Sequence, residues 1–160
     1  VRYSVKIKTR GEGETISIAR SLGRHLSSGD VICLTGELGT GKTCFVKGLA
    51  RGLGIAGKVV VSPTFIIIRE YRGRIPLYHI DLYRIGSVED MRDIGMEEAI
   101  YGQGVTAIEW ADRIADVLPD ERIDVKIEYV DEMTRTIEMR AHGPHHSKAL
   151  REAVKNMRKE

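Results

Sequence analysis

An α/β fold with a mixed sheet is predicted by three observations. Short apolar runs with the look of buried strands alternate with stretches whose apolar residues recur at helical spacing. One such run, Val31 to Leu34, passes through a glycine-rich octapeptide, Gly36 to Thr43, into a helical stretch from Cys44 to Leu53. Two further pairs of segments are separated by short turn sequences and read as antiparallel hairpins. Those hairpins exclude a purely parallel sheet.

The 160 residues suit one domain, 1–160, able to bury a substantial core. A hydrophobic content of 42% and a charged content of 30% are those of an ordinary globular chain. The net charge of +2 is too near balance to argue for nucleic acid as a whole-surface partner. No apolar run approaches the ~20 residues of a membrane span, so no membrane role is expected. The opening VRYSVKIK carries no apolar signal core, and export is not expected. Cys33 and Cys44 lack a zinc spacing and read as reduced thiols, which fits the cytoplasm.

Along the chain, Tyr3, Val5 and Ile7 alternate with polar residues as in a half-buried strand. After a turn at Gly11–Gly13, Ile18, Ala19, Leu22 and Leu26 share a helical face, with Thr15 as the expected cap. The helix after Lys42 carries Phe45, Val46, Leu49 and Leu53 on one stripe and stops near Gly52 and Gly54. Val59 to Val61 reads as a short strand leading into Ser62-Pro63-Thr64. Phe65 to Tyr71 and Ile75 to Tyr83 form the first hairpin, across Arg72-Gly73-Arg74. Ser87 to Tyr101 is a helical stretch broken at Gly95, and Val105 to Ile108 is a buried strand ending in Glu109-Trp110. A short helix closes at Pro119, and the second hairpin pairs Ile123 to Tyr129 with Ile137 to Ala141. The tail is a helix over about 147–158 with an apolar stripe and basic residues between.

Gly36-Glu37-Leu38-Gly39-Thr40-Gly41-Lys42-Thr43 matches G-x-x-x-x-G-K-[ST] between a strand and a helix, the context that makes the pattern a nucleotide site. Glycines let consecutive N–H groups face a phosphate chain, and the helix aims its positive end at the same place. Gly39, Thr40, Gly41, Lys42 and Thr43 are therefore the nucleotide-binding residues, with Lys42 reaching the β/γ-phosphates and Thr43 offering a hydroxyl to Mg²⁺. The chain is expected to be a P-loop NTPase-type three-layer domain that binds a nucleoside triphosphate.

Hydrolysis also needs a carboxylate at a neighbouring strand end. Asp81 closes one strand and Glu109 another, and both are candidates, one near the metal and one orienting the attacking water. His79 shares a strand face with Asp81 and is read as a hydrogen-bonded structural residue in preference to a ligand. Trp110 follows the acid and sits either in the core or at the site mouth. Thr64 is placed to sense a γ-phosphate from a switch-like loop, unless Ser62-Pro63-Thr64 is only a proline-fixed turn. Arg69, Arg72 and Arg74 cluster on the first hairpin and read as a solvated face.

Together GELGTGKT, SPTF, HIDLYR and IEWADR, in this order, resemble the TsaE (YjeE) family; the similarity runs from Thr15 to about Arg113. The resemblance implies a small, weakly active Mg²⁺-dependent ATPase that works with the TsaB–TsaD pair. It would support threonylcarbamoyl transfer to adenosine 37 of tRNA, meeting tRNA through that complex. By the same resemblance Lys42 and Thr43 hold phosphate and Mg²⁺, Asp81 and Glu109 supply acid near the metal, and Trp110 belongs to the functional EW pair. Two positions depart from the family: Cys44 stands where a second threonine is frequent, and Asp112 where glutamate is usual. Neither is expected to touch the phosphate-binding core. A GTPase would carry N-K-x-D and D-x-x-G motifs, and both are missing, so adenine is expected over guanine. A small P-loop kinase, needing a lid, and a non-hydrolysing nucleotide-dependent adaptor are the remaining alternatives.

Overall fold

Apolar residues on both faces of the central strands require helices on both sides of the sheet, and the chain supplies them. The computed structural model describes residues 3–56, 60, 68–85 and 95–157. Its strands are Tyr3–Arg10 (β1), Val31–Thr35 (β2), Ile68–Tyr71 (β3), Leu77–Asp81 (β4), Val105–Glu109 (β5), Arg122–Tyr129 (β6) and Thr134–His142 (β7). The helices are Gly11–Gly23 (α1), Lys42–Gly52 (α2), Met96–Ile100 (α3) and Pro144–Met157 (α4), with a 3₁₀ stretch over Ala111–Val117.

The strands form one seven-stranded sheet in the order β1-β7-β6-β2-β5-β4-β3. β6, β2, β5 and β4 run parallel to their neighbours in that set, while β1/β7, β7/β6 and β4/β3 are antiparallel. The mixed sheet and both hairpins are thus as the sequence predicts. One face packs Ile32, Leu34, Ala107, Val125 and Met139 beneath Leu22 of α1, Phe45 and Leu49 of α2, and Leu150 of α4. The other face buries Val31, Cys33, Ile80 and Ile108 with Met96 and Ile100 of α3 and Ile114 of the 3₁₀ stretch. Burial raises the Cys33 thiol to about 12, so it is an inert core group.

Local differences from the sequence reading have simple causes. α1 starts at Gly11, so Thr15 lies inside the helix, where its buried hydroxyl pairs with that of Thr9 at 3.1 Å and caps nothing. The start is stabilised by acids instead: Glu12 and Glu14 lie in the first turn, and the Glu14 carboxylate accepts the Arg10 N–H at 2.6 Å. α4 begins at Pro144, ahead of the expected 147, because proline suits the first helical position, where its missing N–H costs nothing. Of the strand reading at Val59–Val61 the structure describes only Val60, which is buried; its two neighbours and the segments 65–67 and 87–94 lie outside the described residues.

Candidate nucleotide-binding site

Parallel register brings three strand ends to one edge. Leu34 of β2 lies beside Glu109 of β5, and Glu109 beside Asp81 of β4. Open α/β sheets take ligands at such an edge, beyond the carboxyl ends of their strands. The glycine loop leaves β2 there. Gly36 adopts φ +146°, and a Cβ on it would come within 2.5 Å of the Ile127 carbonyl oxygen. Gly41 adopts φ +112° and stands at the N-cap of α2, where no side chain caps the helix. The first N–H groups of α2 have no acceptor within the helix, and its positive end faces the cleft.

Lys42 is 4% exposed and bends back over this loop. Its Nζ donates to the carbonyls of Gly36 and Glu37, each at 2.8 Å, and lies 4.1 Å from the centre of the Trp110 ring. Burial lowers the pKa of its ammonium, while Glu109, Asp81 and Asp112 pull the other way. The Thr43 hydroxyl donates to both oxygens of Glu109, at 2.9 and 3.0 Å. Glu109 is 3% exposed, and Nε2 of the fully buried His79 sits 2.5 Å from its Oε2. Asp81 reaches the same cleft, and its Oδ1 accepts the Tyr83 N–H at 2.9 Å. The cleft measures about 450 Å³, within the usual range for small-molecule sites. Leu38, Gly39, Gly41, Lys42, Thr43, Tyr83, Arg84 and Trp110 line it, with Glu12, Cys44 and Lys47 forming the wall along α1 and α2.

The family model for "Threonylcarbamoyl adenosine biosynthesis protein TsaE" matches residues 9–137. The chain belongs to the TsaE family. It is 44% identical over 129 residues to the tRNA threonylcarbamoyladenosine biosynthesis protein TsaE of Treponema pallidum, covering 81% of this chain and 95% of that one. With the Bacillus subtilis protein of that name it shares 44% over 140 residues, 87% of each chain. The crystal structure of Bacillus subtilis YdiB superposes with a TM-score of 0.83 at 37% identity, covering 96% of both chains.

Against the sequence expectations for a TsaE member, Gly39, Gly41, Lys42, Thr43, Asp81, Glu109 and Trp110 all meet in the cleft. Thr40 does not: it is 3% exposed, and both its N–H and its hydroxyl turn inward to the Glu37 carbonyl. Thr64 lies outside the described residues. Cys44, expected away from the phosphate-binding core, lines the cleft, and its thiol donates to the Glu12 carbonyl at 3.7 Å. Burial, then the nearby Glu12, raises the pKa of that thiol. Asp112 acts on the site through its charge on Lys42. Arg74 clamps the carbonyls of Gly23, at 3.1 Å, and Leu26, so the first hairpin's arginine closes the end of α1.

Two contributors escape the motif reading. Tyr129 of β6 donates its hydroxyl to the Leu38 carbonyl at 3.2 Å, and Arg135 of β7 donates Nε to the Thr40 carbonyl at 3.2 Å. The Arg135 guanidinium lies 4.2 Å from the Tyr129 ring centre and ties the hairpin turn through the carbonyls of Asp131, Glu132 and Thr134. The one available signal was parity: Arg135 shares the strand face of Ile137, Met139 and Ala141, which is turned toward α1 and α4.

Proposed function

We propose that the chain is a Mg²⁺-dependent ATP-binding and ATP-hydrolysing protein. It acts with the TsaB–TsaD pair in forming threonylcarbamoyladenosine at position 37 of tRNA. The observation that carries the reading is the Thr43–Glu109 pair at the head of α2, beside Lys42 and an uncapped helix start. The names of the relatives support the pathway.

The chain's own groups divide the work. Loop and helix N–H groups receive the phosphates, and Lys42 exchanges the Gly36 and Glu37 carbonyls for phosphate oxygens, a stronger charge-assisted contact. A hydroxyl beside carboxylates is a donor set of hard oxygens, which fits Mg²⁺. Among the described residues no group of three or more His, Cys, Asp and Glu side chains is placed to hold a metal. Thr43, Glu109 and Asp81, which line one cleft, would hold the ion together with phosphate oxygens. Mg²⁺ held there would supply charge neutralisation on the transferring phosphoryl group. Glu109 orients the attacking water, and the wall of Glu12, Cys44 and Lys47 receives the nucleoside. Trp110 is the gate, half-buried over Lys42 where a docking partner can move it.

Calorimetry with ATP and Mg²⁺ tests binding. Lys42→Ala loses a charged hydrogen bond, about 1.5–3 kcal/mol or roughly ten- to a hundredfold in affinity. Equal affinity of variant and wild type overturns the reading. In a turnover assay the TsaB–TsaD pair raises the rate, and Glu109→Ala binds ATP without turning it over. Binding with no turnover in the presence of the pair leaves a nucleotide-dependent adaptor instead.

A further inference from the structure

We infer that His79 is a positioning residue for Glu109, its Nε2–H fixing Oε2 so that Oε1 stays presented to the cleft. The inference rests on the ATPase reading above. The sheet makes the pairing possible. His79 stands opposite Ala107 in register, and Asp81 opposite Glu109, so His79 and Glu109 are diagonal neighbours on one face of adjacent strands. The small Ala107 side chain leaves room for the imidazole to lean toward Glu109.

The hydrogen-bond inventory sets the direction. A carboxylate oxygen only accepts, so the proton between the two residues belongs to His79 Nε2. Nδ1 is buried and has no hydrogen-bond partner among the described residues. On the carboxylate, Oε2 receives both His79 Nε2 and the Thr43 hydroxyl, while Oε1 receives only Thr43. Oε1 is thus the oxygen with remaining lone-pair capacity, in a side chain that lines the cleft. Without His79, the Thr43 hydroxyl would be the one remaining hydrogen bond to the Glu109 carboxylate among the described residues, and it reaches both oxygens without choosing between them. Chemistry that depends on alignment is sensitive to the displacements this allows.

The test has a ligand-free arm and a kinetic arm. In ¹⁵N imidazole spectra of the protein without nucleotide or metal, His79 shows a protonated Nε2. In Mg²⁺-ATP turnover with the TsaB–TsaD pair, His79→Gln, whose amide can still donate, stays within about threefold of wild type. His79→Leu loses about ten- to a hundredfold in kcat with little change in KM, because alignment and not binding is lost. If the leucine variant fails to fold, the spectrum and the glutamine variant decide. A bare Nε2, a leucine variant as fast as wild type, or glutamine and leucine variants falling alike overturns the inference alone. A wild type without turnover overturns the ATPase reading, and this inference with it.

Discussion

Trp110 has φ +61° and ψ +37°, and no other described non-glycine residue has positive φ. That conformation costs a residue with a Cβ about 1–2 kcal/mol. The ring contacts hold it there: Tyr83 lies 5.1 Å away between ring centres, and the Lys42 ammonium 4.1 Å away. Trp110→Ala and Trp110→Gly both lose these contacts, but only glycine relieves the backbone. After the entropy it regains on unfolding, the glycine variant should be more stable than the alanine variant by about 0.5–1 kcal/mol. Chemical denaturation measures the difference, and equal stability refutes backbone strain. Trp110→Ala should also lose most of the TsaB–TsaD stimulation, and a variant stimulated like wild type rules out the gate. At this scale Lys42, Thr43 and Glu109 were legible because motif spacing and strand ends are local features. The His79–Glu109 contact was not, because a diagonal pair exists only once β4 and β5 are neighbours.

The β6–β7 hairpin acts on the glycine loop through peptide geometry. In a trans peptide the carbonyl and the following N–H point in opposite directions. Tyr129 draws the Leu38 carbonyl toward the hairpin, and Arg135 draws that of Thr40. The N–H groups of Gly39 and Gly41 are thereby turned the other way, away from the hairpin. Arg135→Ala releases the second of these anchors. ATP affinity should fall by about 1–1.5 kcal/mol, roughly five- to tenfold, with Arg135→Lys in between. Calorimetry reads this directly, and an unchanged Kd would show that the loop holds its shape unaided. The hairpin as an element was plain from alternation. Its role was not, since the contacts span 91 and 95 residues of sequence.

Across the whole molecule, α4 ties the end of the described chain to the start of β2. His146 is buried at its head with neither ring nitrogen hydrogen-bonded among the described residues. Its Nε2 lies 3.7 Å from Asp30 Oδ1, which also accepts from His145 Nε2 at 2.8 Å. Burial pulls the His146 pKa below its ordinary 6.5; Asp30 and Glu121 oppose the shift, and His145 and His142 add to it. The unfolded chain therefore binds more protons between the two values, and stability rises with pH in that window. Stability should be level above about pH 6.5 and fall as the pH drops through the folded value. His146→Leu should flatten the fall in unfolding midpoint between about pH 7.5 and about pH 5.5. An unchanged slope assigns it to other groups. By itself the sequence determined the strand–loop–helix unit, both hairpins, the apolar faces and the residues at strand ends, because periodicity and glycine geometry are written within a few residues. Only the tertiary structure decided that β5 lies between β2 and β4, that Thr43 and His79 meet on Glu109, and that Arg135 reaches the loop. A hydrophobic pattern says which way a strand faces; its neighbours are chosen by how all seven strands pack together.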